Sequence, residues 1–276
     1  MNKPGPSDLE AQGFLRLSDP DEPLFRVFPY WFLEEGIRLR QLVLVDPALW
    51  EDPFERLPQQ IGLNDATTIP WRQIFLAAYL RTLFAQSWSL SGSSDTLLRA
   101  YSRVHKDPHI KRNLTPRDEG VRVQSTARKL LAVLRRGHAS ANESNSFVGR
   151  VSYAPQADIL QTCANWVGAR GAAFFSTGRP RAELSLLKRV EFAHEAEVRL
   201  IFIEERDGSH EQLLRVPADS NDFIDEIQFD PRLEGFEAKE HESALRALGY
   251  AGPVTHPTTY NLNIWLEVAP SGEPTE

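Results

Sequence analysis

The chain has almost no cysteine. Cys163 stands alone among 276 residues. A disulfide framework within the chain is therefore excluded, and a reducing, cytoplasmic setting fits. Cys163 falls in an apolar helical pattern with Ile159, Leu160, Trp166 and Val167, the setting of a core residue and not of a nucleophile. Long apolar runs are also missing. None approaches the roughly 20 residues that a membrane span needs. The stretch Met1 to Gly13 is polar, carries Pro4 and Pro6, and lacks the apolar segment of a signal peptide. There is no Gly-x-x-x-x-Gly-Lys loop, no Gly-x-Gly-x-x-Gly and no Gly-x-Ser-x-Gly elbow, so the common nucleotide-loop and serine-hydrolase classes are not indicated. Excess positive charge is absent too. A net charge of -7 and a pI near 5.6 argue against broad nucleic-acid binding, leaving room only for a local basic patch. His105 and His109 are four apart, but Pro108 breaks the helix that would make them a metal pair. No metal is expected.

What remains is an ordinary globular composition, 41% hydrophobic and 25% charged. Interleaved helical and strand patterns predict an α+β fold, a mixed, mostly antiparallel sheet flanked by helices. Residues 1–20 read as a flexible arm, 21–269 as one domain and 270–276 as a disordered tail. Strands are expected over 24–30, 42–45, 85–90, 121–123, 148–153 and 192–204. Asp207-Gly208 signals a hairpin with a return strand through Leu213, Leu214 and Val216. Further strands are expected over 223–229 and 260–268. Thr68 can cap a helix with Pro70 in its first turn and Trp71, Ile74, Phe75 and Ala78 on its apolar face. Ser94 caps another. Ala127 to Arg136, closed by Gly137, and segments near 156–169, 180–189 and 237–248 complete the helices.

The richest chemistry lies in Phe192 to Phe202. As a strand it would place Glu195, Glu197 and Arg199 on one face at about 7 Å steps. A solvated edge is the simpler reading. Charge at one end only points instead to a site at the mouth of a sheet. Adjacent carboxylates repel, so one can hold its proton and do acid–base work. Arg26 lies inside an apolar strand, where a guanidinium must reach water, pair with an acid such as Glu197, or grip a phosphate. Ser87 and Ser89 share a strand face and can hold each other, the backbone or a ligand. Asp52 with Glu195 and Glu197 offers an alternative, a metal-dependent nuclease or glycosidase. A non-catalytic binding or regulatory module, with the charges as a structural network, is a third reading.

Taken in order, these pieces resemble the bacterial domain of unknown function family 2971. They are the Arg26 strand, Trp50-Glu51-Asp52-Pro53-Phe54-Glu55, Ser87-Trp88-Ser89, Leu98-Arg99-Ala100-Tyr101, Val151-Ser152-Tyr153, Lys188 ahead of Glu195-x-Glu197-x-Arg199, and Phe223-Ile224-Asp225-Glu226-Ile227. The order is similar to that of ADP-ribosyltransferases of the Arg–Ser–Glu type, with Trp88 where those carry a threonine. The resemblance implies an ADP-ribosyltransferase-like fold, NAD as substrate and an acceptor that is protein or nucleic acid. It also implies a bacterial toxin or anti-phage effector with an antitoxin or defence-system partner. It implies catalytic roles for Glu197, Glu195, Arg26 and Ser87. Ser89, Tyr30, Phe54 and Arg199 would join Arg26 and Ser87 around NAD, with Tyr30 or Phe54 stacking on nicotinamide and Arg199, on the same face, better suited to tie down a carboxylate.

Overall fold

Seven consecutive buried residues, Glu197–Ile203, form the strand on which the fold is built. A strand buried on both faces belongs in the interior of a sheet covered on both sides. The computed structural model describes residues 5–65, 72–204 and 211–257. In chain order the elements are α1 (Pro6–Ala11), β1 (Phe14–Leu15), β2 (Pro23–Pro29), α2 (Tyr30–Leu39), β3 (Gln41–Val45), α3 (Leu57–Gln60), β4 (Gly62–Asp65), β5 (Arg72–Phe75) and β6 (Leu83–Ser89). Then come α4 (Asp95–Tyr101), β7 (Gly120–Thr126), α5 (Ala127–Gly137), β8 (Ser146–Arg150), β9 (Ser152–Ala154), α6 (Gln156–Arg170), α7 (Gly178–Ser185) and β10 (Leu187–Arg189). The described chain closes with β11 (Glu197–Ile203), β12 (Leu213–Pro217), β13 (Glu226–Phe229), α8 (Gly235–Ala247) and β14 (Val254–Thr255).

The main sheet runs β1-β8-β11-β6-β2-β7-β13-β14. Within it, among the described residues, only β1–β8 and β13–β14 pair in parallel, so the sheet is mixed and mostly antiparallel, and helices cover it. Alternation along β11 divides the core. Val198, Leu200 and Phe202 pack with Phe84, Trp88, Leu130 and Leu134 on one face. Ile201 and Ile203 pack with Leu83, Ala85, Phe147, Ala182 and Leu186 on the other. Each such side chain contributes about 1.5–3 kcal/mol when fully buried. On the first face α5 lays down Ala127, Leu130, Leu131 and Leu134, one apolar stripe at helical spacing. Thr126 caps it by accepting the Lys129 N–H at 3.3 Å. Gly137 is fixed by contact, because a Cβ there would meet the Pro217 carbonyl at 2.3 Å.

The feature that makes the site is a fork. On one side β6 pairs with β11 along its whole length. On the other it meets two strands. Val45 of β3 bridges Ala85, and Phe25 of β2 bridges Ser89. Beyond the fork, β2 continues into β7 and β13, and β3 into β12.

Several expectations change. The flexible arm over 1–20 is replaced, from residue 6, by α1 and β1, because Leu9, Phe14 and Leu15 are buried in the two cores. The expected helix from Thr68 gives way to β5 at Ile74 and Phe75, then a short 3-10 turn over Leu76–Tyr79; Thr68, Pro70 and Trp71 lie outside the described residues. The Asp207-Gly208 turn, the strand over 260–268 and the tail over 270–276 also lie outside them. The return strand β12 pairs with β3, not with β11, whose two sides are already taken by β6 and β8. The Arg26 strand is no edge, since β6 and β7 flank it. Cys163 is buried with Ile159 and Phe175, and burial pushes its thiol up. No described helix is long and apolar enough to cross a membrane.

Candidate functional site

Antiparallel register sets Ser87 opposite Arg199 and Ser89 opposite Glu197. Opposite residues share a face, so all four side chains turn the same way. Glu197 is 2% exposed and Arg199 1%. Charges this deep persist only when they are paired and hydrogen-bonded. Glu197 Oε1 accepts from Ser87 Oγ at 2.6 Å and from Arg199 Nε at 2.7 Å. Its Oε2 accepts from Arg199 Nη2 and Lys188 Nζ, both at 3.0 Å. A carboxylate has about four lone-pair sites, so Glu197 is saturated. Burial pushes its pKa up, but Arg199, Lys188 and Ser87 outweigh burial and hold it at about 2. Its main-chain N–H is fixed as well, donating to Tyr153 Oη at 2.8 Å.

Arg199 passes the network on. Nη1 and Nη2 donate to Glu55 at 2.8 and 2.6 Å, and Nη1 also donates to the Ser185 carbonyl at 2.6 Å. Trp50 lies 4.6 Å from the guanidinium carbon. Burial lowers the Arg199 pKa, and the two carboxylates more than reverse that shift. Lys188 Nζ donates to Glu195 Oε2 at 2.7 Å and lies 3.6 Å from Glu55 Oε1. Its ammonium is likewise held charged: Glu197 and Glu195 overcome the cost of burial.

Glu195 reaches this cluster by a route that differs from the expected one. It ends a 3-10 turn over Val190–Glu195, and Ala196 at φ +45° reverses the chain before β11 begins. Glu195 and Glu197 therefore do not share a strand face. Lys188 draws them together. Ser89 holds this turn, donating to the Glu195 carbonyl at 2.6 Å and accepting the Ser91 N–H at 2.9 Å.

A cleft of about 730 Å³ opens at the fork, within the range typical of small-molecule sites. Five consecutive residues of β2, from Phe25 to Pro29, and five of β6, from Ala85 to Ser89, line it. Neighbours on a strand face opposite ways, so the cleft passes through the sheet. Main-chain groups contribute too. Leu90 N–H bonds the Ala196 carbonyl, and the Thr82 carbonyl accepts from Glu204, so even-numbered residues here turn toward β11. Odd-numbered ones turn toward the fork, where Ala85 and Ser89 have strand partners and Ser87 has none among the described residues.

Arg26, Ser87, Ser89, Glu195 and Glu197 all line this cleft. Arg26 is half-buried, stacks 5.0 Å from the Phe28 ring and pairs with no carboxylate among the described residues. Burial lowers its pKa to about 10, with Tyr101 opposing the shift. The expected Arg26–Glu197 pair is absent because Arg199, Lys188 and Ser87 already fill Glu197. Tyr101 also lines the cleft, half exposed. Its phenol is raised by burial and by Glu195, and it interacts with Lys188, Glu197 and Arg26. It therefore remains a protonated donor.

Three residues expected around NAD do not line the cleft. Tyr30 is 1% exposed in the core against Phe229 and His241, and does not line the cleft. Phe54 packs into the satellite core around α6, under Arg189. Arg199 sits behind Glu197, sealed by Glu55, Ser185 and Trp50. The metal alternative loses its geometry. Asp52 pairs with Arg189 at 2.8 Å, and the Lys188 ammonium fills the space between Glu195 and Glu197. Among the described residues no group of three His, Cys, Asp or Glu side chains is arranged to hold a metal. Sequence reasoning missed Glu55 and gave Lys188 and Tyr101 no role. The clustered acids of Trp50-Glu51-Asp52-Pro53-Phe54-Glu55 were the available signal for Glu55.

The molecule is thus an α+β protein with a ligand-sized cleft at a forked sheet. No family model matches the chain, and no curated protein matches it. Among solved structures it is similar to DarT from Thermus sp. 2.9 in complex with ADP-ribosylated ssDNA. That comparison has 11% identity, a TM-score of 0.39, and covers 88% of this chain and 97% of that one. The same DarT in complex with carba-NAD+ and with NAD+ gives a TM-score of 0.36 and 11% identity in each case. Each covers 87% of this chain, and they cover 97% and 98% of those chains.

Proposed function

We propose that the cleft takes NAD and transfers its ADP-ribosyl group to an acceptor. The observation that carries this reading is the shared cleft. Arg26, a guanidinium without a carboxylate partner among the described residues, lines the same cavity as Glu195 and the Ser87–Glu197 pair. An unpaired, half-buried guanidinium suits a pyrophosphate, which it can bind bidentately. The main-chain donor and acceptor of Ser87, which have no strand partner on the fork side among the described residues, suit a carboxamide. In the reaction the bond between ribose C1′ and the nicotinamide nitrogen breaks, and its electrons leave with nicotinamide. The ribosyl group passes through a cation-like state that fixed negative charge stabilises. An acceptor lone pair then bonds C1′, and its proton goes to Glu195. Glu195 suits this role because its carboxylate accepts, among the described residues, a single hydrogen bond, from Lys188, which leaves it lone pairs to offer. Glu197, saturated, supplies charge and holds Ser87. The motif order extends the proposal to membership of family 2971 and to a toxin or anti-phage effector acting on protein or nucleic acid.

The four donors on Glu197 favour a second reading, a module that binds without catalysis. The full chain is incubated with labelled NAD and candidate acceptors, beside Glu195→Gln. The transferase reading expects wild-type release of nicotinamide and a loss of about 10²-fold or more in the variant. Tight NAD binding with no release would favour the binding module. Neither binding nor release would sink both.

A further inference from the structure

We infer that Glu55 is a positioning residue that makes the buried cluster anionic. The inference rests on the transferase reading for its purpose and on geometry for its content. Glu55 lies on a 3-10 turn, Pro53–Arg56, and its side chain is 6% exposed. It meets the outer edge of the Arg199 guanidinium through two bonds, at 2.6 and 2.8 Å, while Glu197 takes two on the inner side, at 2.7 and 3.0 Å. Arg199 is thus shared between two carboxylates. Without Glu55, Arg199 and Lys188 would cancel Glu195 and Glu197. With it, three carboxylates face two cations, and one negative charge remains beside the cleft. That charge is what a ribosyl cation meets. Glu55 also fixes where the charge sits. Gripped from both sides, with the Trp50 ring 4.6 Å from its guanidinium carbon, Arg199 is held away from the cleft.

The test separates charge from scaffold. A protonated hydroxylated pyrrolidine and its neutral tetrahydrofuran isostere are titrated into the full chain by calorimetry. Wild type should prefer the cation. Glu55→Gln should lose about tenfold of that preference, and Glu55→Asp should keep most of it. Lys188→Met, which deepens the negative charge, should raise the preference, and it reads the same point if Glu55→Gln does not fold. In a parallel NAD assay Glu55→Gln should lower kcat about tenfold and leave KM unchanged. Equal preference in wild type and folded Glu55→Gln, or no rise in Lys188→Met, would overturn the inference. A wild type that prefers the cation yet never cleaves NAD would sink the transferase reading and leave Glu55 as assigned.

Discussion

The two ends of the cleft treat charge in opposite ways. At one end Glu197, Arg199, Lys188 and Glu55 are all but sealed from water, and each ionised group is met by counter-charges and hydrogen bonds. At the other, Arg26 has an aromatic ring and no acid among the described residues. Networks of the first kind are rigid, and removing one member strands the others. A lone half-buried guanidinium bears its desolvation cost with little return in the free protein. The contrast separates a part whose charges are each met by counter-charges within the fold from a part whose charge is not compensated by an acid among the described residues.

The largest effect belongs to Arg199. Arg199→Gln leaves Glu197 and Glu55 facing each other with Lys188 as the main counter-charge. We expect a loss of about 3–5 kcal/mol in urea unfolding at neutral pH. A loss under about 1 kcal/mol would mean that the network is dispensable and the contrast false.

Acid should reach the same end. The Glu197 pKa is lowered from its ordinary 4.5 to about 2 in the folded chain. Its contribution is therefore complete above about pH 4.5 and lost as pH falls from there through 2. Linkage puts this loss at about 3 kcal/mol, measured as the unfolding midpoint against pH. In Glu197→Gln this part of the acid limb should vanish. Ser87→Ala comes next. It removes one hydrogen bond to a buried carboxylate, and about 2 kcal/mol should go with it.

The sequence marked the ends unequally. Glu197, Arg199, Ser87 and Arg26 were legible because charged or paired polar residues stood inside apolar strands. The mixed antiparallel sheet was legible from alternation. The pairing of Glu55 with Arg199 was not, because Glu55 arrives from 144 residues away on an irregular turn, and its acidic cluster carries no mark of that partner. The turn at Ala196 was hidden because alanine rarely adopts a left-handed backbone. Tyr30 and Phe54 were read as stacking partners by residue type. Which way an aromatic points depends on the helix that follows β2 and on the satellite core, both tertiary facts. The fork itself has no sequence signature, since it arises only when β2 and β3 both reach β6.

The smallest stability effect should be at Arg26, and it is the most informative. Arg26→Met keeps the length and apolar packing against Phe28 while removing a charge that has no acid partner among the described residues. No buried counter-charge is stranded, so unfolding free energy should stay within about 0.5 kcal/mol of wild type or rise. Affinity for NAD or pyrophosphate, measured by calorimetry at fixed salt, should fall about tenfold or more. The two measurements must diverge for the comparison to stand. If stability falls by about 3 kcal/mol and anion affinity does not change, Arg26 belongs to the scaffold as Arg199 does. The two ends would then not differ. If both stay unchanged, the guanidinium reaches solvent and holds neither ligand nor fold.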